Sequence, residues 1–543
     1  MLKRSALVGA LVGFLAVAAA DEMSGNDKLR LLYSHRFSFT QRGVPLITVG
    51  IMDGQDRVVL RGERLLRVLP DGDGGPEVRA AAAWEITVRD ARPAKARWWT
   101  VVSRQATDEE IALWRGRGVE VQTFETGIVF GVEGDVIDSR ALLLGVAPEA
   151  TEAAATRAAA ALGKKYGVDT SLHPELVARP EGLLVARDPV TGATIENRGV
   201  LWFAPDKEGG LISVDDVLHG GGGARVDEKR EARSYRGRIY VTVGQDGRLT
   251  VVNAVPEDEL LMGIVPSEIF PDAPAEALKA QAVAARDELL SKIGTRHFLD
   301  PYLLCATQHC QVYGGAGLED PRTSRAVADT RGEVLLRDGG GLVEAYYSAS
   351  CGGHGEHNEN VWPQTPDPSL RGHLDALGAD ARALAPFATG VTDENLRAFL
   401  AAGDATFCGK SKWARGRHRW SVRLPAAEVD RMVAAELPEV GAVRELRAGK
   451  RGISGRIREL IVVGARGTAR VAGELRIRRL FGGLKSSLFL PRRDGDAWVL
   501  DGAGFGHGVG MCQTGAIGMA EAGFDYRRIL GHYYLGSRLR KLY

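Results

Sequence analysis

Residues 264 to 294 read IVPSEIFPDAPAEALKAQAVAARDELLSKIG, and this stretch places one carboxylate, Glu268, in a Pro-bounded turn just ahead of a helix. Asp272 or Pro274 can open that helix and Gly294 can close it. Leu278, Ala282, Ala285 and Leu289 form its apolar stripe at helical spacing. Lys279 and Arg286 share a neighbouring face, because seven residues make nearly two turns, so both cations can address Glu268 or a polar substrate near it. The apolar neighbours Ile264, Val265, Ile269 and Phe270 suit a carboxyl whose pKa must be raised to donate a proton near neutrality. The competing reading makes Glu268 a surface cap and leaves the cations solvated.

Four further phrases follow in order. They are CATQHCQVY at Cys305 to Tyr313, YYSASCGGH at Tyr346 to His354, GFGHGVGMCQTGAIG at Gly504 to Gly518, and ILGHYYLG at Ile529 to Gly536. Together with the Glu268 stretch, the set resembles the SpoIID/LytB family: the stage II sporulation protein D and the amidase enhancer, bacterial proteins that act on the peptidoglycan glycan strand. The resemblance runs from about Leu249 to Tyr543. One departure is IFPDAP after Glu268, where relatives often place Met before the proline.

The resemblance implies an enzyme that cleaves glycan already stripped of its stem peptides, with Glu268 as general acid. Glycoside hydrolases add a second carboxylate, and the matching motif offers none. That favours a lytic transglycosylase, in which the same carboxylate gives a proton and then takes one from the sugar's own 6-hydroxyl, leaving a 1,6-anhydromuramoyl end. Lys279 and Arg286 would position the acid or bind substrate. Tyr346 and Tyr347, and likewise Tyr533 and Tyr534, could stack on sugar rings or simply pack. His507, between glycines that let the backbone approach a ligand, could sit at a groove rim or only bond across its turn.

Composition agrees with an extracytoplasmic enzyme. The 543 residues suffice for two to four domains, and 70 Lys and Arg against 69 Asp and Glu give no electrostatic footprint for a nucleic-acid partner. Lys3 and Arg4, an apolar run from Ala6 to Ala20 and the Ala18-Ala19-Ala20 site read as a secretory signal at residues 1–20. The run is shorter than the ~20 residues that span a bilayer comfortably, although an uncleaved anchor is the alternative. No stable membrane span is expected, and the protein should be exported, periplasmic or associated with the cell wall. Its expected partners are glycan strands and a cell-wall amidase.

The expected fold class is α+β: a β-rich catalytic domain with a Glu-bearing helix segment, plus an inserted α/β domain. Short strands from Pro45 to Leu69 and from Ile239 to Val255, the latter with an Asp246-Gly247 hairpin, look like one β domain interrupted. The division is therefore a β segment at 21–82, an insertion at 83–231 and the catalytic region at 232–543. The insertion shows a weak β-α-β-β repeat. It is similar to the sporulation-related repeat domains that bind peptide-free glycan, and a plain spacer is the competing reading. Glycine is abundant, as in Gly220 to Gly223, and suggests loop-rich β structure.

The five cysteines fall at 305, 310, 351, 408 and 512. His297, Cys305, His309 and Cys310 could fill a tetrahedral zinc site, and the resemblance implies a structural metal there. A disulfide from Cys305 to Cys310 or Cys351 is the alternative in an oxidising compartment. Cys351 and His354 make a second pair of possible soft ligands, whereas Cys512 reads as a buried small hydrophobe. No H-E-x-x-H segment is present, which counts against a zinc peptidase or amidase. The other rival is a non-catalytic glycan binder that enhances an amidase.

Overall fold

The computed structural model describes residues 32–34, 38–70, 75–132, 135–219, 229–338, 340–402 and 405–543. The expected signal at 1–20 and the run Gly220 to Gly223 lie outside the described residues. The chain mixes helix and strand in an α+β arrangement. Among the described residues no helix is long and apolar enough to cross a membrane.

A twelve-stranded sheet is the scaffold. Its main path runs Ser38–Phe39, Pro45–Gln55, Leu249–Pro256, Arg238–Val243, Val200–Pro205, Val58–Leu69, Val78–Arg92, Glu181–Arg187 and Thr194–Arg198. Neighbours along it are antiparallel, with Ile47 opposite Val255 and Val241 opposite Val251. Buried Ile47, Leu60, Trp84, Phe203, Ile239 and Val251 fill the core against it. The β-branched and aromatic content of these runs suits a pleated, buried surface.

The expected insertion at 83–231 is corrected. Val78–Arg92 runs straight through that boundary and pairs with Glu181–Arg187, Thr87 opposite Val185, while the strands from Val200 to Tyr235 return to the same sheet. Only the stretch from Lys95 to Ala178 builds a sheet of its own, ordered Ser171–Ala178, Lys95–Ser103, Ala141–Glu149, Val121–Thr126. Helices Asp108–Gly116 and Glu152–Tyr166 follow the strands Lys95–Ser103 and Ala141–Glu149, which is the split β-α-β arrangement of ferredoxin-like units. Local signals fix both helices: Thr107 and Glu110 form a capping box, and Gly167 ends the second at φ 66°. The unit meets the rest of the chain where the Gly127 N–H donates to the Gly294 carbonyl at 2.7 Å and the His173 ring lies 4.5 Å from Phe298.

Strand Leu249–Pro256 passes directly into the helix Glu257–Glu268, whose first turn carries Glu257, Asp258 and Glu259 at the positive end of the helix dipole. Glu268 is therefore the last residue of a helix, a correction to the expected turn. Pro274 then opens the long helix Ala275–Lys292, as anticipated, and Gly294 follows its end at φ 73°. Asp272 pairs with Arg322 instead of capping.

The long helix is buried on nearly every face, and this overturns the expected role of Arg286. Its guanidinium lies wholly inside, 2.8 Å from Glu257, and donates to the carbonyls of Thr330 and Glu333 at 2.9 and 3.0 Å. Tyr543 donates to the other Glu257 oxygen, so the pair also ties down the C-terminal residue.

Beyond this helix, Leu304–Cys305 joins the main sheet parallel to Pro45–Gln55. Near the C-terminus Glu333–Arg337 pairs with Ser537–Lys541, and Tyr347–Ser348 runs parallel to Met511–Cys512. Between these last two strands lie two three-stranded sheets, Arg419–Pro425 with Phe489–Asp494 and Ala497–Ala503, and Val443–Arg451 with Ile457–Gly464 and Thr468–Ala472. They share a separate core of Val433, Leu460, Val462, Phe489 and Leu500.

Breaking the buried pair by Arg286→Ala should cost about 3–5 kcal/mol, because it strands an uncompensated carboxylate. Lys279→Ala, which removes a partly exposed pair, should cost less than about 1 kcal/mol. Urea unfolding at neutral pH measures both, and an equally small loss for the two would contradict the burial assigned to Arg286.

Candidate active site

Glu268 is half-buried at the end of its helix. Burial pushes its carboxyl from the ordinary 4.5 up to about 7, with the charge of Glu288 adding to the rise. Lys292, the Tyr347 hydroxyl and the Val312 N–H act in the opposite direction. A carboxyl so placed holds a proton near neutrality yet can release it, which is the property required of a general acid that becomes a base.

The supporting groups lie along one face of the long helix. Gln281, Ala285, Glu288 and Lys292 follow the four-three-four spacing of a single stripe. Lys292 Nζ donates to Glu288 Oε1 at 2.5 Å and to the Cys310 carbonyl. Gln311 Nε2 donates to the Ala285 carbonyl at 3.1 Å, to Tyr347 Oη at 3.2 Å and to Glu288 Oε2 at 3.3 Å. From the opposite side, Gln513 Nε2 donates to the Glu268 carbonyl at 2.9 Å and to Gln281 Oε1 at 3.1 Å. The phrases CATQHCQVY and GHGVGMCQTG thus converge on the acid through Gln311 and Gln513.

The cation that serves Glu268 is Lys292, a correction to the roles given to Lys279 and Arg286. Lys279 is engaged by Glu276 at 3.0 Å and Asp329 at 3.6 Å, with its ammonium over the Tyr526 ring. The expectation of a lone carboxylate is also corrected, since Glu288 acts on Glu268. Both Glu288 oxygens accept hydrogen bonds and its side chain is mostly buried. The missed signal was the stripe Gln281, Glu288, Lys292, polar residues at four-and-three spacing on one side of the helix.

Tyr347 and His507 do reach this region. Gly510, at φ 68°, lets Met511–Cys512 run against Tyr347–Ser348; a Cβ there would lie 2.0 Å from the Tyr346 carbonyl. Val509 N–H donates to His507 Nδ1 at 3.1 Å, and the ring packs 4.9 Å from Trp362, which itself stacks on Tyr346 at 4.4 Å. Burial, then Arg456 and Arg478, push His507 down to about 3, so the imidazole is neutral. Tyr533 and Tyr534 are buried packing residues, with hydroxyls on Asp375 and on the Tyr346 carbonyl. On the other side of Glu268, exposed Phe270 stacks on Trp413 at 4.4 Å with Arg417 over its face.

The structure brings His297, Cys305, His309 and Cys310 together, their ligand atoms all within 4.8 Å of one another. His297 Nε2 lies 3.2 Å from Cys310 Sγ, and His309 Nδ1 lies 3.6 Å from Cys305 Sγ and 3.7 Å from Cys310 Sγ. His297 adopts φ 61°, a strained choice for a residue with a side chain, and Asp300 Oδ2 holds its Nδ1 at 2.8 Å. Such a carboxylate behind an imidazole is what orients a metal ligand. Cys305 is carried by the strand beside Gly50, where Tyr302 packs so closely that a Cβ would lie 2.5 Å from its ring. Two thiols and two imidazoles in this array fit a tetrahedral Zn²⁺. The five cysteines are unbridged, and His354 turns to the Gly355 carbonyl at 2.7 Å instead of joining Cys351 in a ligand pair.

Because the folded protein raises the Glu268 pKa from 4.5 to about 7, it retains a proton that the unfolded chain gives up. The resulting stability is complete below pH 4.5 and is lost as pH rises through about 7. Glu268→Gln, neutral throughout, should match the wild type in acid and resist denaturant better above about pH 7. Parallel pH–stability curves for the two proteins would refute the raised pKa.

The family model described as stage II sporulation protein matches residues 245–336, and a domain of unknown function (DUF8618) matches residues 356–510. The chain is 30% identical over 288 residues to an uncharacterised protein of Brachyspira hyodysenteriae (strain ATCC 49526 / WA1), covering 53% of this chain and 67% of that one. It is 28% identical over 303 residues to the amidase enhancer of Bacillus subtilis (strain 168), with 51% of this chain and only 40% of the enhancer covered. Against stage II sporulation protein D of the same Bacillus strain, identity is 25% over 317 residues, covering 55% and 78%. With the Glu268 helix, the CATQHCQVY loop and Gln513 of the C-terminal phrase assembled into one site, and with these matches, the protein belongs to the SpoIID/LytB family of stage II sporulation protein D and the amidase enhancer.

Proposed function

We propose that this protein is an exported lytic transglycosylase acting on peptide-stripped peptidoglycan glycan, with Glu268 as its only general acid and base. The observation that carries this reading is the half-buried placement of Glu268, with Tyr347 and Lys292 acting on it and burial raising its pKa to about 7. Glu268 gives its proton to the glycosidic oxygen as the bond from C1 breaks. The carboxylate so formed takes the proton of the 6-hydroxyl while O6 closes on C1, which regenerates the acid and consumes no water. Glu288 supports this economy: both its oxygens are occupied by Lys292 and Gln311, which suits a group that keeps Glu268 protonated better than one that activates water. The aromatic pairs Phe270 with Trp413 and Tyr346 with Trp362 offer faces for sugar rings on either side.

The second part of the reading is a structural zinc at His297, Cys305, His309 and Cys310. It would hold the loop whose Cys310 carbonyl receives Lys292, and so keep that cation beside Glu288. Replacing Cys310 by Ala should release one zinc per chain and lower the thermal midpoint; unchanged metal content would contradict the site.

The amidase enhancer among the relatives favours one rival, a glycan binder that stimulates a cell-wall amidase without cleaving. Incubation with peptide-free glycan and mass spectrometry of the products separates the readings. Wild type should release anhydro-ended fragments, and Glu268→Gln should be slower by about 10²–10⁴-fold or more. Reducing ends would mean hydrolysis, and a Glu268→Gln protein that still stimulates an amidase would favour the enhancer role. The kcat/KM of the wild type should fall as pH rises through about 7. Glu288→Gln, by removing a like charge, should move that limb to lower pH.

A further inference from the structure

The structure assigns a second metal site to this chain: we propose that Cys351, Cys408, Cys512 and Asp375 bind one Zn²⁺ as a closed, structural centre. Their ligand atoms all lie within 4.8 Å of one another, and all four residues are buried. Cys351 Sγ and Cys408 Sγ stand 3.7 Å apart. Two thiolates at about 2.3 Å from a tetrahedral zinc are separated by roughly 3.7–3.8 Å, whereas a disulfide requires about 2.05 Å.

The surroundings suit thiolates. Cys512 Sγ accepts from the Cys351 N–H at 3.1 Å and the Gly515 N–H at 3.2 Å, and Cys351 Sγ accepts from the Gly353 N–H at 3.3 Å. His418 Nδ1 approaches Cys408 Sγ at 3.2 Å, a ring placed to support that sulfur from behind. Asp375 is 2% exposed, yet its hydrogen-bond donors are neutral: the Tyr533 hydroxyl at 2.7 Å and the Cys408 N–H at 2.8 Å. His532 Nε2 stands off at 3.8 Å. A buried carboxylate needs positive charge nearby, and a cation among the three sulfurs supplies it. Soft thiolates in a four-coordinate array select zinc over hard cations, and binding would release three thiol protons to solvent.

The ligands come from distant segments. Cys351 follows the Tyr347–Ser348 strand, Asp375 and Cys408 belong to the stretch matched at 356–510, and Cys512 immediately precedes Gln513, which holds the Glu268 carbonyl. A metal here would clamp the 356–510 domain to the strand pair behind the acid. It leaves no open position for substrate and does not depend on the chemistry proposed for Glu268.

The test uses the Cys305→Ala/Cys310→Ala protein, which lacks the first site, grown with zinc and freed of loose metal by gel filtration. Elemental analysis should find one zinc per chain, X-ray absorption should show three sulfurs and one oxygen or nitrogen around it, and adding Cys408→Ser should remove it. No zinc in the double variant, or a Cys351–Cys408 disulfide in its peptide map, overturns the site. Should the double variant fail to fold, the wild type suffices: an average above two sulfurs per zinc supports the second centre, and two or fewer overturns it. The difference in zinc between wild type and double variant reports the first site separately.

Discussion

A helix buried on nearly every face must find an internal partner for each polar side chain it buries, and in this protein meeting that demand on Ala275–Lys292 organises what packs around it. An unsatisfied buried donor or acceptor costs about 1–3 kcal/mol, and more when charged. Arg286 is answered by Glu257 at the strand-to-helix junction and by the carbonyls of Thr330 and Glu333. Asp287 receives the Leu335 N–H at 2.8 Å. Gln281 is met by Gln513, and Glu288 by Lys292 and Gln311. Each of these bonds fixes a different chain segment against the helix. The ring of groups around Glu268 is therefore largely the same set of contacts that lets the helix be buried.

Electrostatics at the site follow from how few charges are admitted. Two carboxylates share a half-buried region with one ammonium, Lys292, so the cheapest way to balance them is a proton on one. That proton falls to Glu268 because Glu288 holds the direct contact with Lys292. His507, neutral under its own burial and the field of Arg456 and Arg478, cannot compete for it. The folded state thus holds Glu268 in its neutral form further toward neutrality than the unfolded chain does, and gives up stability where that proton is lost.

Local features were legible in the sequence. Pro274, the long helix and Gly294 lie where the sequence pattern placed them, and His297, Cys305, His309 and Cys310 do converge. What could not be read were consequences of long-range packing. Arg286 was read as a cation serving Glu268 or substrate because helical spacing says nothing about what buries the far face, and here Glu257 and Tyr543 do so. The strands from Glu181 to residue 231 looked like part of the 83–231 insertion because their antiparallel pairing with the strands of the main sheet carries no local mark. Glu288 and Lys292 were hidden for the opposite reason: charged residues at the end of a helix usually face water.

The two added units sit where additions disturb the core least. Residues 356–510 leave and re-enter beside each other, since Glu356 bridges Val509 and the strands on either side already run in parallel contact. With both ends fixed, the entropic cost of closing a longer loop grows only as the logarithm of its length, so a domain with a core of its own can be carried there. It also reaches the site, because Trp362 belongs to it and stacks between Tyr346 and His507. The unit from Lys95 to Ala178 approaches from the other side, touching the Gly294 turn and Phe298 next to the His297 and Cys305 loop. Additions whose two ends the scaffold already holds are cheap for it, and both of these reach elements that pack around the Glu268 region, one through Trp362 on Tyr346 and the other through Gly127 on Gly294.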